Sequence, residues 1–168
     1  MAQKILVAYA TKCGSTREIA DFMIKVLQEK GLNADLGEMK NVKSVKGYDA
    51  LILGAPMYMF RIIGDAHTFL KKQRKYIENI PTAFFSLGPT QDKEEDWKTV
   101  WGNFEKELSK YPWFQPVAKE VFGGRLDSSK LVLPYNLLPG KDQLPQGDFR
   151  DWEKIKAWTL SMPAKFDL

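Results

Sequence analysis

Two patterns of apolar residues alternate along this chain. Short continuous apolar runs are typical of buried strands, and they occupy residues 5–10, 48–55 and 80–87. Residues 33–39 are partly polar and predict a short strand near a sheet edge, and residues 117–124 predict a further strand. Apolar residues at three- and four-residue spacing are typical of helices with one buried face, and this spacing occurs before the Lys30-Gly31 stop and in residues 65–78, 94–110 and 148–162. The chain therefore predicts five strands that alternate with helices.

This alternation predicts a parallel sheet with helices on both faces, because the crossovers between parallel strands are nearly always right-handed. A length of 168 residues fits a single domain, residues 1–168. Residues 125–147 are rich in proline, glycine and polar residues, and they predict a long loop excursion from that domain. In such sheets, ligands bind beyond the carboxyl ends of the strands, where the strand order reverses.

The loop after the first strand carries hydroxyls and a glycine directly before a helix: Thr11, Lys12, Cys13, Gly14, Ser15 and Thr16. A helix N-terminus offers backbone N–H groups and the positive end of the helix dipole, and both favour a phosphate. Ser15 and Glu18 also have the spacing of a capping box, which predicts that Ser15 caps the helix. Taken alone, the loop fits an ordinary helix cap as well as a phosphate site. It has neither the GxGxxG spacing nor the P-loop ending.

Two further loops follow strands of the same predicted sheet. One exposes large apolar side chains just past a strand end, namely Pro56, Met57, Tyr58, Met59 and Phe60. The other is tight and uncharged, so that its backbone can approach a ligand closely; it comprises Ser86, Leu87, Gly88 and Pro89. A phosphate socket beside two apolar loops predicts a phosphorylated planar ring as the ligand.

The composition restricts the classes of protein to which this chain can belong. A hydrophobic content of 44% and a charged content of 27% are typical of globular proteins, and the longest apolar-rich stretch, residues 50–60, is too short for a membrane span. Cys13 is the only cysteine, so no internal disulfide forms and we expect a cytoplasmic protein. His67, the only histidine, lies off the apolar stripe of its helix and is expected in solvent. With one cysteine and one histidine we expect no metal site and no activated thiol.

The net charge of +4 would favour an anionic partner such as a membrane surface, nucleic acid or an acidic protein. The densest basic cluster, residues 71–75, lies in a predicted helix without the interleaved aromatic residues of a nucleic-acid platform. Scattered solvated lysines are the preferred interpretation. We therefore expect no nucleic-acid partner, and nothing in the sequence supports contact with a membrane.

In these features the sequence resembles the flavodoxin-like family, whose phosphate loop is a Thr/Ser-rich turn with a glycine. More narrowly, it is similar to the subgroup that includes the flavodoxin-like protoporphyrinogen oxidases, through the segments ILVAYATKCGSTREIA, GAPMY, IPTAFFSL and GDFRDWEKIKAW. The resemblance implies an α/β three-layer sandwich with a five-stranded parallel sheet in the order 2-1-3-4-5 and FMN at the switch point. Many relatives carry a glycine near Phe60, where a positive φ is costly for a bulky residue.

The resemblance also implies roles for the three loops. The hydroxyls of Thr11, Ser15 and Thr16, with the backbone N–H groups of residues 12–16, would bind the FMN phosphate. Tyr58 would stack on the isoalloxazine, and its neighbours in the two apolar loops would shape the pocket. The alternative for Tyr58 is a tyrosine that caps the core.

Three functions remain open at this point. The first is an FMN-binding redox protein that passes electrons to a partner protein at the exposed edge of the flavin. The second is an FMN-dependent oxidoreductase acting on a flat substrate, such as protoporphyrinogen or a quinone, over Tyr58 and residues 125–147. The third is an interaction module that keeps the fold without the flavin. No residue is assigned a catalytic role, and the sequence does not decide between carrier and enzyme.

Overall fold

A computed structural model of the protein describes residues 3–90, 93–127, 129, 135–140 and 147–168. The strands are β1 (Lys4–Tyr9), β2 (Asn33–Glu38), β3 (Ala50–Tyr58), β4 (Arg61–Ile62), β5 (Thr82–Leu87), β6 (Ala118–Phe122), β7 (Arg125–Leu126) and β8 (Gly147–Asp148). The helices are α1 (Ser15–Glu29), α2 (Gly64–Ile77), α3 (Glu94–Leu108) and α4 (Trp152–Phe166), with a 3₁₀ turn at Tyr135–Leu137.

The long strands of the described residues form a parallel sheet in the order β2-β1-β3-β5-β6, and β4 pairs antiparallel with the end of β3. Counted over the five long strands alone, this order is 2-1-3-4-5, so the predicted topology is confirmed. The chain leaves β1 on one side to form β2 and returns on the other side to form β3. This reversal places a crevice at the carboxyl ends of β1 and β3.

Two hydrophobic cores lie on the two faces of the sheet. Successive residues of a strand point to opposite faces, so Leu6 and Ala8 of β1 pack in one core with α2 and α3, whereas Ile5 and Val7 pack in the other with α1 and α4. The central strands are buried on both faces, which explains why they appear as continuous apolar runs. The three-layer sandwich is confirmed.

The last helix begins and ends later than the predicted 148–162. Asp148 pairs instead with Arg125 in a two-stranded ribbon of β7 and β8, and Asp151 caps the helix by accepting a hydrogen bond from a backbone N–H at 3.0 Å. The helix continues through Pro163, whose missing N–H costs one backbone hydrogen bond. Burial of Phe166 in the same turn offsets that cost.

The predicted excursion, residues 125–147, is structured at both ends. Its first and last residues form the ribbon of β7 and β8, and residues 135–137 form the 3₁₀ turn. Residues 128, 130–134 and 141–146 lie outside the described residues.

Candidate functional site

The first predicted loop leads into a helix without a side-chain cap. The N-cap residue of α1 is Gly14, and among the described residues no side chain accepts a hydrogen bond from the backbone amides of the first turn. Gly14 has a φ of 89°, a left-handed conformation that suits glycine, and its N–H donates to Thr11 Oγ1 at 2.9 Å. The first-turn amides therefore lack a side-chain acceptor within the part of the chain described, and they lie at the positive end of the helix dipole.

The predicted capping box is wrong. Ser15 is the first helical residue rather than the cap, and the Glu18 carboxylate bonds to two distant arginines instead of a local N–H. Its Oε2 accepts from Arg150 Nη1 at 2.6 Å, and its Oε1 accepts from Arg125 Nη1 at 3.3 Å. A hydrogen bond between two charged groups is stronger than one to a neutral amide, so the tertiary contact outweighs the local cap.

Thr16 lies one residue further into α1. Its side chain is completely buried, and its hydroxyl oxygen has no hydrogen-bond partner among the described residues. A buried hydroxyl without a partner costs about 1–3 kcal/mol, and nearly all buried polar groups in proteins are therefore paired. An unpaired hydroxyl beside uncapped amides fits a loop that binds an anion.

The second loop is the turn of a hairpin formed by β3 and β4. Tyr58 pairs with Arg61 across the hairpin, and the two turn residues, Met59 and Phe60, have φ values of 48° and 64°. Two positive φ values are typical of a type I′ turn, and each costs roughly 1–2 kcal/mol for a residue with a side chain. Met59 and Phe60, here called the hairpin tip, are 65% and 66% exposed. The costly conformation anticipated for Phe60 is thus adopted by both residues.

Tyr58 connects the second loop with the first. Its hydroxyl donates to Cys13 Sγ at 3.1 Å, and its half-buried side chain lines an open cleft. A tyrosine in this position can present its ring to a ligand while its hydroxyl is bonded to the protein.

The third loop is held tightly against β6. The Gly88 N–H donates to the Phe122 carbonyl at 2.7 Å, and a Cβ at Gly88 would lie 2.7 Å from the Val121 side chain. Ser86 is fully buried, and its hydroxyl donates to the Ala55 carbonyl at 2.8 Å. Ser86 therefore links two strands, and it does not line the cleft.

The three loops surround a cleft of about 230 Å³, here called the three-loop cleft. Its lining includes these predicted site residues: Ser15, Pro56, Met57, Tyr58, Met59, Leu87, Gly88 and Pro89. The other predicted residues lie in the same loops but outside the lining: Thr11, Lys12, Cys13, Gly14, Thr16, Phe60 and Ser86. The lining also contains four residues that were not among the predicted cofactor-binding residues: Thr90, Gly124, Arg125 and Leu126. Arg125 and Leu126 belong to the segment that the oxidoreductase alternative placed over Tyr58.

A buried arginine, also not predicted, ties the β7–β8 ribbon to the first turn of α1. The Arg150 side chain is 3% exposed; it donates to Asp148 at 2.6 and 2.8 Å and to Glu18 at 2.6 Å, and its guanidinium lies 4.8 Å from the centre of the Trp152 ring. Its Nη1 is also 3.5 Å from the Ser15 carbonyl oxygen. The paired hydrogen bonds with Asp148 raise the pKa of Arg150 and lower that of Asp148. Glu18 and Ser15 lie 132 and 135 residues from Arg150 in the sequence, so no local pattern predicts these contacts.

The prediction that His67 lies in solvent is wrong. Its Nε2 lies 2.9 Å from Glu107 Oε2, and its Nδ1 hydrogen-bonds to the Tyr111 hydroxyl. The buried Glu107 carboxylate also accepts from the Ile62 N–H at 3.1 Å and from Lys110. Burial raises the pKa of Glu107, but the hydrogen bonds from Lys110, His67 and Ile62 outweigh it and hold that pKa below its usual value. The period of α2 identifies its apolar face, but the partners of His67 come from outside α2.

Neither a metal site nor a membrane-spanning helix is found among the described residues. No group of His, Cys, Asp and Glu side chains there is arranged to hold a metal ion. No helix in that part of the chain is long and apolar enough to span a bilayer.

Comparisons with known proteins identify the family to which the chain is related. Residues 6–134 match the model of the flavodoxin domain family. Protoporphyrinogen IX dehydrogenase (quinone) of Escherichia coli is 23% identical over 163 residues, which cover 90% of each chain. Oxidised Flavodoxin 2 from Bacillus cereus has a TM-score of 0.59 at 23% identity, covering 97% of this chain and 99% of that one. A flavodoxin from the domain Archaea has a TM-score of 0.60 at 12% identity, covering 99% and 100%.

The family match spans most of the chain, and the strand order and the position of the cleft at the switch point agree with it. The chain therefore belongs to the flavodoxin domain family.

Proposed function

We propose that this chain binds FMN in the three-loop cleft and transfers electrons at the exposed edge of the flavin. Membership of the flavodoxin domain family supports a flavodoxin-type redox protein. Beyond family membership, we propose that the cofactor is FMN, that residues of the three loops bind it, and that the protein is cytoplasmic. Its electron-transfer partner would be a redox protein or a flat small molecule.

The Thr16 hydroxyl, which has no hydrogen-bond partner within the described part of the chain, is the observation that carries the proposal. This hydroxyl is fully buried at the start of α1, next to amides without a side-chain cap. A phosphate oxygen would accept hydrogen bonds from the hydroxyl and from the amides, and the helix dipole would favour its charge. Lys12 is exposed in the same loop and adds a positive charge. The residues present thus fit the phosphate of FMN.

The rest of the cleft fits a flat ring system. Met57, Tyr58 and Leu87 supply apolar and aromatic surface, and a Cβ at Gly124 would lie 2.6 Å from the Gly88 carbonyl oxygen, so the two loops pack backbone against backbone. Such walls hold a ring in one orientation and exclude water from its faces. When bound, FMN would supply the one- and two-electron chemistry, while the protein sets orientation and electrostatics.

The electrostatics of the cleft favour negative charge. Arg125 is the one charged side chain among the described lining residues, and no carboxylate lies in that lining. Arg125 is paired with Glu18 at 3.3 Å, so it contributes a moderate positive potential. Charge that accumulates on a ligand during reduction would be stabilised by Arg125 and by the helix N-terminus.

A second function, an FMN-dependent oxidoreductase that acts on a flat substrate, is favoured by one observation. Arg125 and Leu126, at the start of the predicted excursion, line the cleft beside Met59 and Tyr58. A flat molecule placed there would contact both the ring site and the ribbon. The similarity to protoporphyrinogen IX dehydrogenase (quinone) of E. coli supports a porphyrinogen or a quinone as the substrate to test.

The proposal is tested by titrating the apoprotein with FMN and, separately, with riboflavin, which has the same rings without the phosphate. We expect one FMN per chain, and riboflavin binding at least about a hundredfold weaker, because each hydrogen bond to a charged phosphate contributes about 1.5–3 kcal/mol. Equal affinities for FMN and riboflavin would show that the loop does not bind the phosphate. If FMN does not bind at all, the interaction module without flavin is the function that remains.

The loaded protein then distinguishes carrier from enzyme. Saturable turnover with protoporphyrinogen as donor and a quinone as acceptor would support the enzyme. Reduction and reoxidation of the flavin without turnover of either small molecule would support the carrier.

A further inference from the structure

The β3–β4 hairpin borders a second cleft, which the proposed function does not use. Met57, Tyr58 and Met59 line the three-loop cleft, whereas Arg61 and Ile62 line the second. This second cleft, here called the basic cleft, measures about 470 Å³. Its lining consists of Arg61, Ile62, His67, Lys71, Glu107, Lys110 and Tyr111.

The basic cleft has an excess of positive charge. Three cations, Arg61, Lys71 and Lys110, face one carboxylate, Glu107, which leaves an excess of two positive charges before His67 is counted. Lys110 and His67 share that carboxylate. Arg61 and Lys71 are exposed and form no ion pair with any residue of the described ranges. A recess with unpaired cations concentrates positive potential and attracts an anion.

The hairpin tip adds an apolar surface next to this charge. Phe60 directly precedes Arg61, and both tip side chains are about two-thirds exposed. The tip keeps two positive φ values, while Glu107 holds the next strand through the Ile62 N–H at 3.1 Å. Strained backbone that its surroundings hold in place is concentrated at functional sites. Methionine, phenylalanine and arginine are also enriched in protein interfaces.

We propose that the hairpin tip and the basic cleft form the docking surface for an acidic redox protein. This inference rests on the proposed function, because the tip residue Met59 also lines the three-loop cleft. Carboxylates around the partner's redox centre would bind Arg61 and Lys71, while its apolar surface packs on the tip. Electron transfer at this surface would oxidise the partner's redox centre by one electron and reduce this protein by one electron, and any proton would come from solvent. An anionic lipid surface would also attract these exposed charges, so vesicle binding is measured separately.

The test is calorimetric binding of the FMN-loaded protein to a plant-type iron–sulfur ferredoxin, used as an acidic redox protein, with basic cytochrome c for comparison. We expect ferredoxin to bind with an affinity that falls as salt rises, and cytochrome c to bind far more weakly. The double variant Arg61→Glu/Lys71→Glu should weaken ferredoxin binding at least about tenfold at low salt.

The matched control, Lys25→Glu/Lys156→Glu, makes the same change of charge at exposed positions of α1 and α4 on the other face of the sheet. It should change ferredoxin binding by less than about twofold. Equal weakening by both double variants, tighter binding of cytochrome c, or no binding of ferredoxin would overturn the docking surface.

Two readouts distinguish protein docking from flavin binding and from lipid binding. Both double variants should keep the FMN affinity of the parent, so a failure of docking is distinct from a failure of the flavin site. Sedimentation with vesicles of phosphatidylcholine and phosphatidylserine tests a membrane surface. If the Arg61→Glu/Lys71→Glu variant loses vesicle binding but keeps ferredoxin binding, the surface binds lipid and the proposal is wrong.

Discussion

Replacing Thr16 with valine should change two quantities in opposite directions. Valine has nearly the same shape without the hydroxyl, and that hydroxyl is fully buried without a partner in the described part of the chain. In the apoprotein the substitution removes an unsatisfied polar group, so the free energy of unfolding should rise by about 1 kcal/mol. In FMN binding it removes a hydrogen bond to a charged phosphate, a loss of about 1.5–3 kcal/mol. The FMN dissociation constant should therefore rise about ten- to hundredfold.

Urea unfolding of the apoprotein measures the first change, and quenching of FMN fluorescence measures the second. Thr159→Val is the matched control, because Thr159 is equally buried but its hydroxyl donates to the Ile155 carbonyl at 2.7 Å. The control should not gain stability, and it should keep the FMN affinity of the parent. If Thr16→Val lowers the stability of the apoprotein and leaves FMN affinity unchanged, the hydroxyl is satisfied within the fold and the phosphate assignment fails.

Three further substitutions test contacts around the site. Glu107→Leu should lower the free energy of unfolding in urea by about 2–4 kcal/mol, because it leaves the buried Ile62 N–H without an acceptor. A loss of stability no larger than that caused by Glu107→Gln would contradict this. The pKa of Glu107 is lowered by folding, so its stabilisation is present above the unfolded-state pKa and disappears as the pH falls through the folded-state value; the acid-unfolding curve of Glu107→Gln should lack this component. Arg150→Lys should lower the Tm and weaken FMN binding, since lysine cannot form the paired contact with Asp148; an unchanged thermal scan would refute this. Phe60→Gly should raise the free energy of unfolding by about 1 kcal/mol, because glycine adopts its φ of 64° without strain; a less stable variant would show that the Phe60 side chain packs on the protein.

The buried strands were the most predictable elements, and the reason is local. Residues of β1, β3 and β5 are buried on both faces of the sheet, so their sequences are continuous apolar runs. The helices α1, α2 and α3 bury one face each, and the apolar spacing locates them within a few residues. From these elements the layers followed, while the strand order came from the family resemblance.

The errors concern side chains whose partners lie far away in the chain. Glu18 matches a capping box locally but bonds to Arg150, and His67 lies off its helix stripe but meets Glu107 of α3. A charged hydrogen bond across the fold is worth more than a local cap. No spacing along the sequence distinguishes these outcomes.

Alone, the sequence determined the five long strands, the approximate positions of the four helices and the three loops that follow the strands, because burial dictates the period of apolar residues. It did not predict the short strands β4, β7 and β8. It also placed Thr16 next to the turn, but it could not show that the hydroxyl would be buried and unpaired. Only the tertiary structure joined the loops into one cleft, added Arg125 to its lining, and placed Arg61 beside Lys71 and Lys110. These are contacts between residues from separate elements, and their energies depend on geometry that forms only when the layers pack.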